Sequence, residues 1–336
     1  MNNVPAVSVI VPVRNGRSVL PACLEALEAS DIDRSTWELI VVDDASLDGS
    51  GEWARNQGAT VVRIEDGPVG PGEARNRGAE EARGDVLVFV DADVCVHSGV
   101  LGRFHRLLGG ESDVGAAFGS YDDAPAEPSF VSQFRNLHHR YVHLRGSGPA
   151  ETFWAGCGAV QRKVFDASGG FDAVRFPRPA VEDIELGYRI RKQGWEIRLD
   201  PSIQAKHLKR WTLLGMLRTD LFDRGIPWMR LLLEEPRPPS LNIRTVDRLR
   251  LGAVGLALVA LGVGVVRGPG WFLACVAMTL VAVGLNRSLL RWFVQRKGWA
   301  FALRVIPLTL VMDLVSGMAV VMATAQHLVG RSAVGQ

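Results

Sequence analysis

Chemistry is densest in this chain where carboxylates come in pairs. Asp91-Ala92-Asp93 follows the apolar run Val86–Val90, and Asp43-Asp44 follows Leu39–Val42. Two carboxylates one residue apart can gather oxygens around a hard divalent cation, which in turn holds phosphate oxygens. A polar turn would explain either pair alone. Acidic ends on two strands of one sheet concentrate negative charge on one edge, which is costly unless a cation or donor groups offset it. Glu182-Asp183 opens a helical stretch, where the helix dipole favours negative charge and capping is the plainer role. His207 offers an imidazole to a metal. Arg210-Trp211 offers a forked cation and an aromatic plane suited to phosphate and to a sugar or base. Taken singly, His207 reads as structural and Arg210-Trp211 as an anchor ahead of a membrane helix.

A sheet must position these groups. Val7–Val11 is a β-branched run closed by Pro12, which predicts a buried parallel strand. A helix over Val19–Leu27, a strand over Leu39–Val42, a helix capped by Asp48 and running through Trp53, and a strand over Thr60–Ile64 follow. Glu73–Ala82 then predicts a helix and Val86–Val90 a fourth strand. Strands alternating with helices imply right-handed βαβ units. Ligands of such sheets bind beyond the carboxyl ends of the strands, which selects Arg14, Asp43, Asp44, Asp91 and Asp93. The second half is less regular: a strand at Val114–Phe118, helices at Phe130–Leu144 and Val181–Lys192, and two short strands at Trp195–Leu199 and Ser202–Lys206.

The chain has 336 residues, enough for about two domains. With 38 Lys+Arg against 36 Asp+Glu, it lacks the basic excess of a nucleic-acid binder, so no nucleic-acid partner is expected. Its 4 cysteines form no CxxC pair, as suits a reducing compartment. The N-terminal stretch reads as a strand, so no cleaved signal is expected.

From Leu251 the pattern changes. Leu251–Val266 and Trp271–Leu285 are apolar and joined by Arg267-Gly268-Pro269-Gly270; extension to Val246 and Leu290 gives each the length of a membrane span. Ala300–Leu328 is a third candidate that carries Arg304 and Asp313. Arg244, Arg248 and Arg250 precede the first span, and Arg287, Arg291, Arg296 and Lys297 follow the second, so the soluble part is expected in the cytosol at a multi-pass cell membrane. Between the two parts, Trp211, Leu214, Leu217, Leu221 and Phe222 predict an amphipathic helix, on a bilayer surface or against the soluble core. The Pro-rich linker Glu234–Ser240 follows. The domains are thus expected at 1–210, 211–245 and 246–330.

Some motifs carry less. Gly70-Pro71-Gly72-Glu73-Ala74-Arg75 lacks the last glycine of a dinucleotide-binding turn and follows a loop, and no Walker, HExxH or GxSxG pattern occurs. His139 and His143 share a helical spacing, but without a third ligand they read as a solvated helix face.

Together, VSVIVPVRNG (Val7–Gly16), ELIVVDDASLDGS (Glu38–Ser50), GEARNRGAEEARGDVLVFVDADV (Gly72–Val94), FWAGCGAVQRKVFDASGGFD (Phe153–Asp172), VEDIELGYRIRKQGW (Val181–Trp195) and HLKRW (His207–Trp211) resemble the family 2 glycosyltransferases. The resemblance implies an α/β GT-A fold, a mostly parallel but mixed sheet flanked by helices, here followed by the interfacial helix and the α-helical membrane segment. It implies a nucleotide-diphospho-sugar donor, a Mg or Mn cofactor, and a nucleotide pocket formed by Pro12, Arg14, Asp43, Asp44 and Arg75. Asp91 and Asp93 match the DxD motif, with Asp93 the principal metal ligand. Asp183 matches the catalytic base, and His207 or Arg210 would assist the leaving diphosphate, with His207 a further metal candidate and Trp211 beside the donor. Trp154, Gly156 and Glu182 fall on the acceptor side. Processive members of the family carry QxxRW, where this chain has His207 for glutamine; that favours single transfer to a lipid, lipid-linked or saccharide acceptor at the bilayer. A processive polysaccharide synthase and a silent membrane scaffold are the alternatives.

Overall fold

The computed structural model describes residues 4–237, 241 and 244–334, with side chains through 329. It divides into two compact units, Met1–Arg210 and Trp211–Gln336.

The first unit begins as alternating strands and helices: β1 (Val7–Val13), α1 (Leu20–Glu28), β2 (Trp37–Asp44), α2 (Ser50–Asn56), β3 (Thr60–Ile64), α3 (Pro71–Glu81) and β4 (Val86–Val90). It continues with β5 (Val94–Val96), α4 (Val100–Leu108), β6 (Val114–Tyr121), α5 (Phe130–Arg145), β7 (Gly148–Ala150), β8 (Cys157–Gln161), α6 (Arg162–Ala167), α7 (Glu182–Lys192) and β9 (Glu196–His207). The nine strands form one sheet in the order β3-β2-β1-β4-β8-β6-β9-β5, with β7 paired to β9. β3, β2, β1 and β4 are mutually parallel, β8 runs antiparallel between β4 and β6, and β5 is antiparallel to β9.

Burial on both faces explains the apolar runs. Val7, Val9 and Val11 of β1 share a core with Leu20, Leu24 and Leu27 of α1. On the opposite face α3 approaches closely at Gly78, where a Cβ would lie 2.4 Å from Ile10 Cγ2. Any larger residue there would overpack the core, at a cost of about 1–3 kcal/mol.

The predicted pair of strands at Trp195–Leu199 and Ser202–Lys206 is a single 12-residue strand, β9. Its pairing with β6 shifts register between Phe118 and Ser120, which absorbs Asp200-Pro201 without ending the strand. The His139/His143 face is not solvated: His143 is buried, and its Nδ1 lies 2.8 Å from the Gly119 carbonyl.

In the second unit the amphipathic stretch is broken into α8 (Leu213–Arg218), a π-helical turn (Thr219–Gly225) and α9 (Ile226–Glu234), with Trp211 ahead of them. Then come α10 (Thr245–Arg267), α11 (Gly270–Leu285), α12 (Arg287–Lys297) and α13 (Trp299–Val334). Leu221 and Ile226 pack on Val315, Ala319 and Ala323 of α13, while Leu214 and Phe222 stay exposed.

Among the described residues two helices are long and apolar enough to cross a membrane: Thr245–Arg267, and α13 over Trp299–Val329. The predicted extension of the second span to Leu290 does not hold. α11 ends at Leu285, and the chain bends by 60° into α12, so this pair makes at most a broken third span. The charge inside α13 is paired: Asp313 Oδ2 lies 2.9 Å from Arg250 Nε of α10. Arg250 also reaches Asn286 Oδ1, at 3.4 Å, at the α11–α12 junction. Pairing of this kind is what lets an apolar helix keep an aspartate.

Candidate active site

Parallel strands deliver the loops after β1 and β2 to the same sheet edge. There the Asn15 amide donates to Ser46 Oγ (2.9 Å), and the Leu47 amide donates to Asn15 Oδ1 (2.8 Å). The Gly16 amide donates to Ser50 Oγ at 3.0 Å. Asn15 and Ala45 adopt positive φ, so both loops turn sharply at the edge. Pro12 pairs in register with Val42 of β2, and Arg14 projects exposed just beyond.

Asp43 and Asp44 end β2 but differ in work. Asp43 is fully buried; its Oδ1 accepts from the Ser46 amide at 2.9 Å, and Arg63 stands 3.7 Å from Oδ2. Asp44 accepts from the amides of Val69 and Gly70, at 2.8 and 3.0 Å, and so pins the loop leading into α3.

Arg75 is the hub. It is only 4% exposed, and its two terminal nitrogens are taken: Nη2 donates to Asp91 Oδ1 (2.7 Å) and Nη1 to Glu182 Oε1 (3.0 Å). Burial works against its charge, but Asp91, Glu182 and Asp183 more than offset that and keep it protonated. Arg75, expected at the nucleotide pocket, thus braces the end of β4 against α7. Glu182, expected to face an acceptor, is likewise buried, its second oxygen accepting from the Ala180 amide at 2.9 Å.

Asp183 sits at the first turn of α7. Its Oδ2 accepts from the Ala155 amide (3.1 Å) and its Oδ1 from the Ile184 amide (2.8 Å), which fixes the carboxylate against the segment leading into β8. Trp154 in that segment packs edge-on to Tyr121, with centroids 4.9 Å apart. Gly156 makes room for it, since a Cβ there would lie 2.7 Å from the indole.

The remaining pair comes from β5 and β9. Register places Val94 opposite His207, and the Leu208 amide donates to the Asp93 carbonyl at 2.9 Å. His207 Nε2 consequently lies 3.4 Å from Asp93 Oδ2. Burial disfavours charge on Asp93, but the hydrogen bond and charge of His207 and the Lys209 ammonium outweigh it and hold the carboxyl below the ordinary aspartate value. His207 Nδ1 is 2.7 Å from Asn136 Oδ1, and its ring stacks on Tyr121 at 4.5 Å. With Nδ1 donating to Asn136, the ring aims its Nε2 at the Asp93 carboxylate, where a bound cation could be shared between the two.

Among the described residues no group of three or more His, Cys, Asp or Glu side chains is spaced to hold a metal. The Asp93 carboxylate fits Mg or Mn in the manner of sites in which substrate phosphates and water complete the shell, and the His207 imidazole beside it is a softer donor, better suited to Mn than to Mg. Asp91 keeps one oxygen on Arg75 with the side chain 36% exposed. Arg210 is exposed just past β9, whereas Trp211 is buried and belongs to the second unit. Asn136 and Tyr121 were not singled out from the sequence. The available signal was the helical spacing of Gln133, Asn136, Arg140 and His143, a polar stripe on α5 that is buried, with Asn136 1% exposed.

Similarity to known proteins agrees with this geometry. A glycosyltransferase of Haloferax volcanii, AglE, is 37% identical over 106 residues, 30% of this chain and 35% of that protein. A probable glycosyltransferase of Bacillus subtilis, YdaM, is 25% identical over 222 residues, 60% of this chain and 50% of its own length. The chain thus spans a third to a half of these curated relatives. Among solved structures, a mannosyltransferase of Pyrobaculum calidifontis in complex with GDP-mannose and Mn2+ superposes with a TM-score of 0.61 at 19% identity. That match covers 96% of this chain and 88% of the other, and it shows a common fold. Residues 8–169 match the model of glycosyl transferase family 2. By the match, the relatives and the mixed GT-A sheet, this segment of the chain is a family 2 glycosyltransferase domain.

Proposed function

We propose that the protein moves a sugar from a nucleoside-diphospho-sugar to a lipid or lipid-linked acceptor, inverting the anomeric carbon, at the cytoplasmic face of a membrane crossed by its C-terminal helices. The product would belong to a cell-surface glycan or glycolipid. The observation that carries the reading is the Arg75 brace, which joins Asp91-Ala92-Asp93 and Glu182-Asp183 in one site although α7 is remote in sequence.

In this reading Asp183 takes the proton of the acceptor hydroxyl as its oxygen attacks the anomeric carbon. The bond from that carbon to the diphosphate breaks in the same displacement, and the electron pair leaves with the diphosphate. The two amides on Asp183 hold the carboxylate in place for in-line attack. Asp93 and His207 would hold Mg or Mn, which when bound neutralises charge on the departing diphosphate. Arg14 and Arg210 are exposed cations suited to the phosphates, and Asp43 and Asp44 fix the loops of the nucleotide pocket. The Trp154 ring, near Asp183 in the fold, suits stacking against a sugar of the acceptor or donor.

Membrane anchoring is supported by helices α10 and α13 and by large apolar side chains that no protein covers, such as Val259, Val265, Leu273 and Leu280. The basic residues Arg244, Arg248 and Arg250 at the start of α10 and those filling α12 favour a cytosolic catalytic domain. On this reading residues 1–210 are the catalytic domain, 211–245 an interfacial segment and 246–330 the membrane segment.

The deciding experiment measures release of nucleoside diphosphate from a panel of nucleotide sugars, with Mg or Mn and a membrane lipid extract. Lipid-dependent release from one donor is expected. Asp183→Asn should lower turnover by about 10²–10⁴-fold while leaving donor binding by calorimetry intact. Near-normal turnover in that variant would remove Asp183 from the role of base.

A further inference from the structure

Past the bend at Asn286, α12 is built unlike the helices on either side of it. Leu289 and Phe293, four residues apart, are buried, and the Phe293 ring lies 5.4 Å from Phe301 of α13. On the opposite side Arg287, Arg291 and Gln295 repeat at the same interval and are exposed. The helix, RSLLRWFVQRK, holds four cations and no carboxylate. Among the described residues no acidic side chain pairs with Arg287 or Arg291. Arg296 lies over the Trp292 ring, 4.3 Å from its centroid.

The apolar side of this helix is already covered by protein, so its basic side has no core left to find. A surface of opposite charge fits it. The apolar helix α11 ends at Leu285 and α13 begins at Trp299, so α12 occupies the level at which the chain leaves hydrocarbon and re-enters it. A 60° bend turns it along that level rather than across. Trp292 and Trp299 are the residue type that settles there. Guanidinium groups one helical turn apart can close on a single phosphate from two sides.

We propose that α12 is a headgroup-binding helix, in which Arg287 and Arg291, with Lys297 beyond them, hold the phosphates of anionic phospholipids in the leaflet next to it. The proposal rests on the reading that the C-terminal helices lie in a bilayer. It goes beyond setting orientation, because it assigns the exposed cations a partner that persists after insertion.

The test uses the full chain in nanodiscs, with an environment-sensitive fluorophore on Gln295→Cys and the unsubstituted chain labelled in parallel to subtract the native thiols. A collisional quencher is carried either on phosphatidylglycerol or on phosphatidylcholine at equal mole fraction. Each cation near an anionic surface is worth about fivefold in local concentration, so quenching by the anionic carrier should exceed that by the neutral one severalfold. R287Q/R291Q should lower the ratio severalfold, leaving what Arg296 and Lys297 support, and R287K/R291K, which keeps the charge and the exposed position, should preserve it. Equal quenching by both carriers, or a ratio unmoved in R287Q/R291Q, would overturn the proposal and leave these cations to orientation alone. No quenching by either carrier would overturn the bilayer reading as well.

Discussion

Replacing Arg75 by methionine separates a brace from a ligand. The side chain keeps its apolar stem and loses both ion pairs. Glu182, with 7% of its side chain exposed, is left as a buried charge, whereas Asp91, at 36%, can turn to water. Orphaning one partner of a buried pair costs about 3–5 kcal/mol, and the exposed Asp91 pair adds under about 1 kcal/mol. Taking about 3 kcal/mol for Glu182, and 2–4 °C per kcal/mol for a unit of this size, the midpoint should fall by about 6–12 °C. Glu182→Gln in the same background removes the stranded charge and should return at least half of the loss, which a double-mutant cycle measures. In catalysis, the carboxylates at the ends of β4 and α7 lose their common anchor. A displacement of about 1 Å can cost about 10²-fold, so kcat should fall by that order while donor KM shifts by less than about threefold. Thermal melts and initial rates on the same preparations decide the matter. A large rise in donor KM at unchanged kcat would show that Arg75 binds the diphosphate directly, and the brace would be wrong.

Two further outcomes follow from contacts described above. His207→Ala removes one of the two proposed metal donors, so the Mn concentration needed for half-maximal turnover should rise at least about 10-fold; unchanged metal dependence would take His207 out of the coordination shell. Glu38 accepts hydrogen bonds from Ser8 Oγ (2.7 Å) and the Arg83 amide (2.6 Å), and although burial opposes its ionisation these donors and the Arg83 charge hold its carboxyl below the usual glutamate value. The unfolded chain therefore takes up the proton first, so stability from Glu38 is present above about pH 4.3 and is lost as pH falls through its lower folded value. Glu38→Gln should flatten the acid limb of a stability–pH curve, and an unchanged limb would refute the assignment.

The parallel half of the catalytic fold was legible because its strands are continuous β-branched runs ended by polar residues. Strand β8 was not: CGAVQ is short, preceded by Gly156 and interrupted by Gly158, and only its place between β4 and β6 makes it a strand. In β9, Asp200-Pro201 reads locally as a stop, and the neighbouring β6 overrides it through a shifted register. The helix α4 carries an apolar period at Val100, Leu101, Phe104 and Leu108 that passed unassigned. At the site, Asp43-Asp44 and Asp91-Ala92-Asp93 stood out as paired carboxylates at strand ends, whereas Asp183 and His207 drew their expected roles only from the family resemblance. The partner of Arg75 did not, because 107 residues separate it from Glu182 and nothing local marks the pair. Asp313 weakened the third membrane segment in sequence and is accounted for in structure by Arg250, an ion pair between helices that spacing cannot reveal.

The pairing of β5 with the end of β9 also sets an order of events. The loops after β1 and β2 are complete once β1 to β4 have formed, within the first 90 residues. The Asp93–His207 pair must wait for residue 207, because Val94 meets His207 only through that last strand. Contacts so distant in sequence form late and slowly. On a translating ribosome the loops after β1 and β2 therefore take shape while the Asp93–His207 pair is still open. That pair closes only as the chain reaches the segment that opens the second unit, so the proposed site is complete before the first apolar helix, α10, has followed.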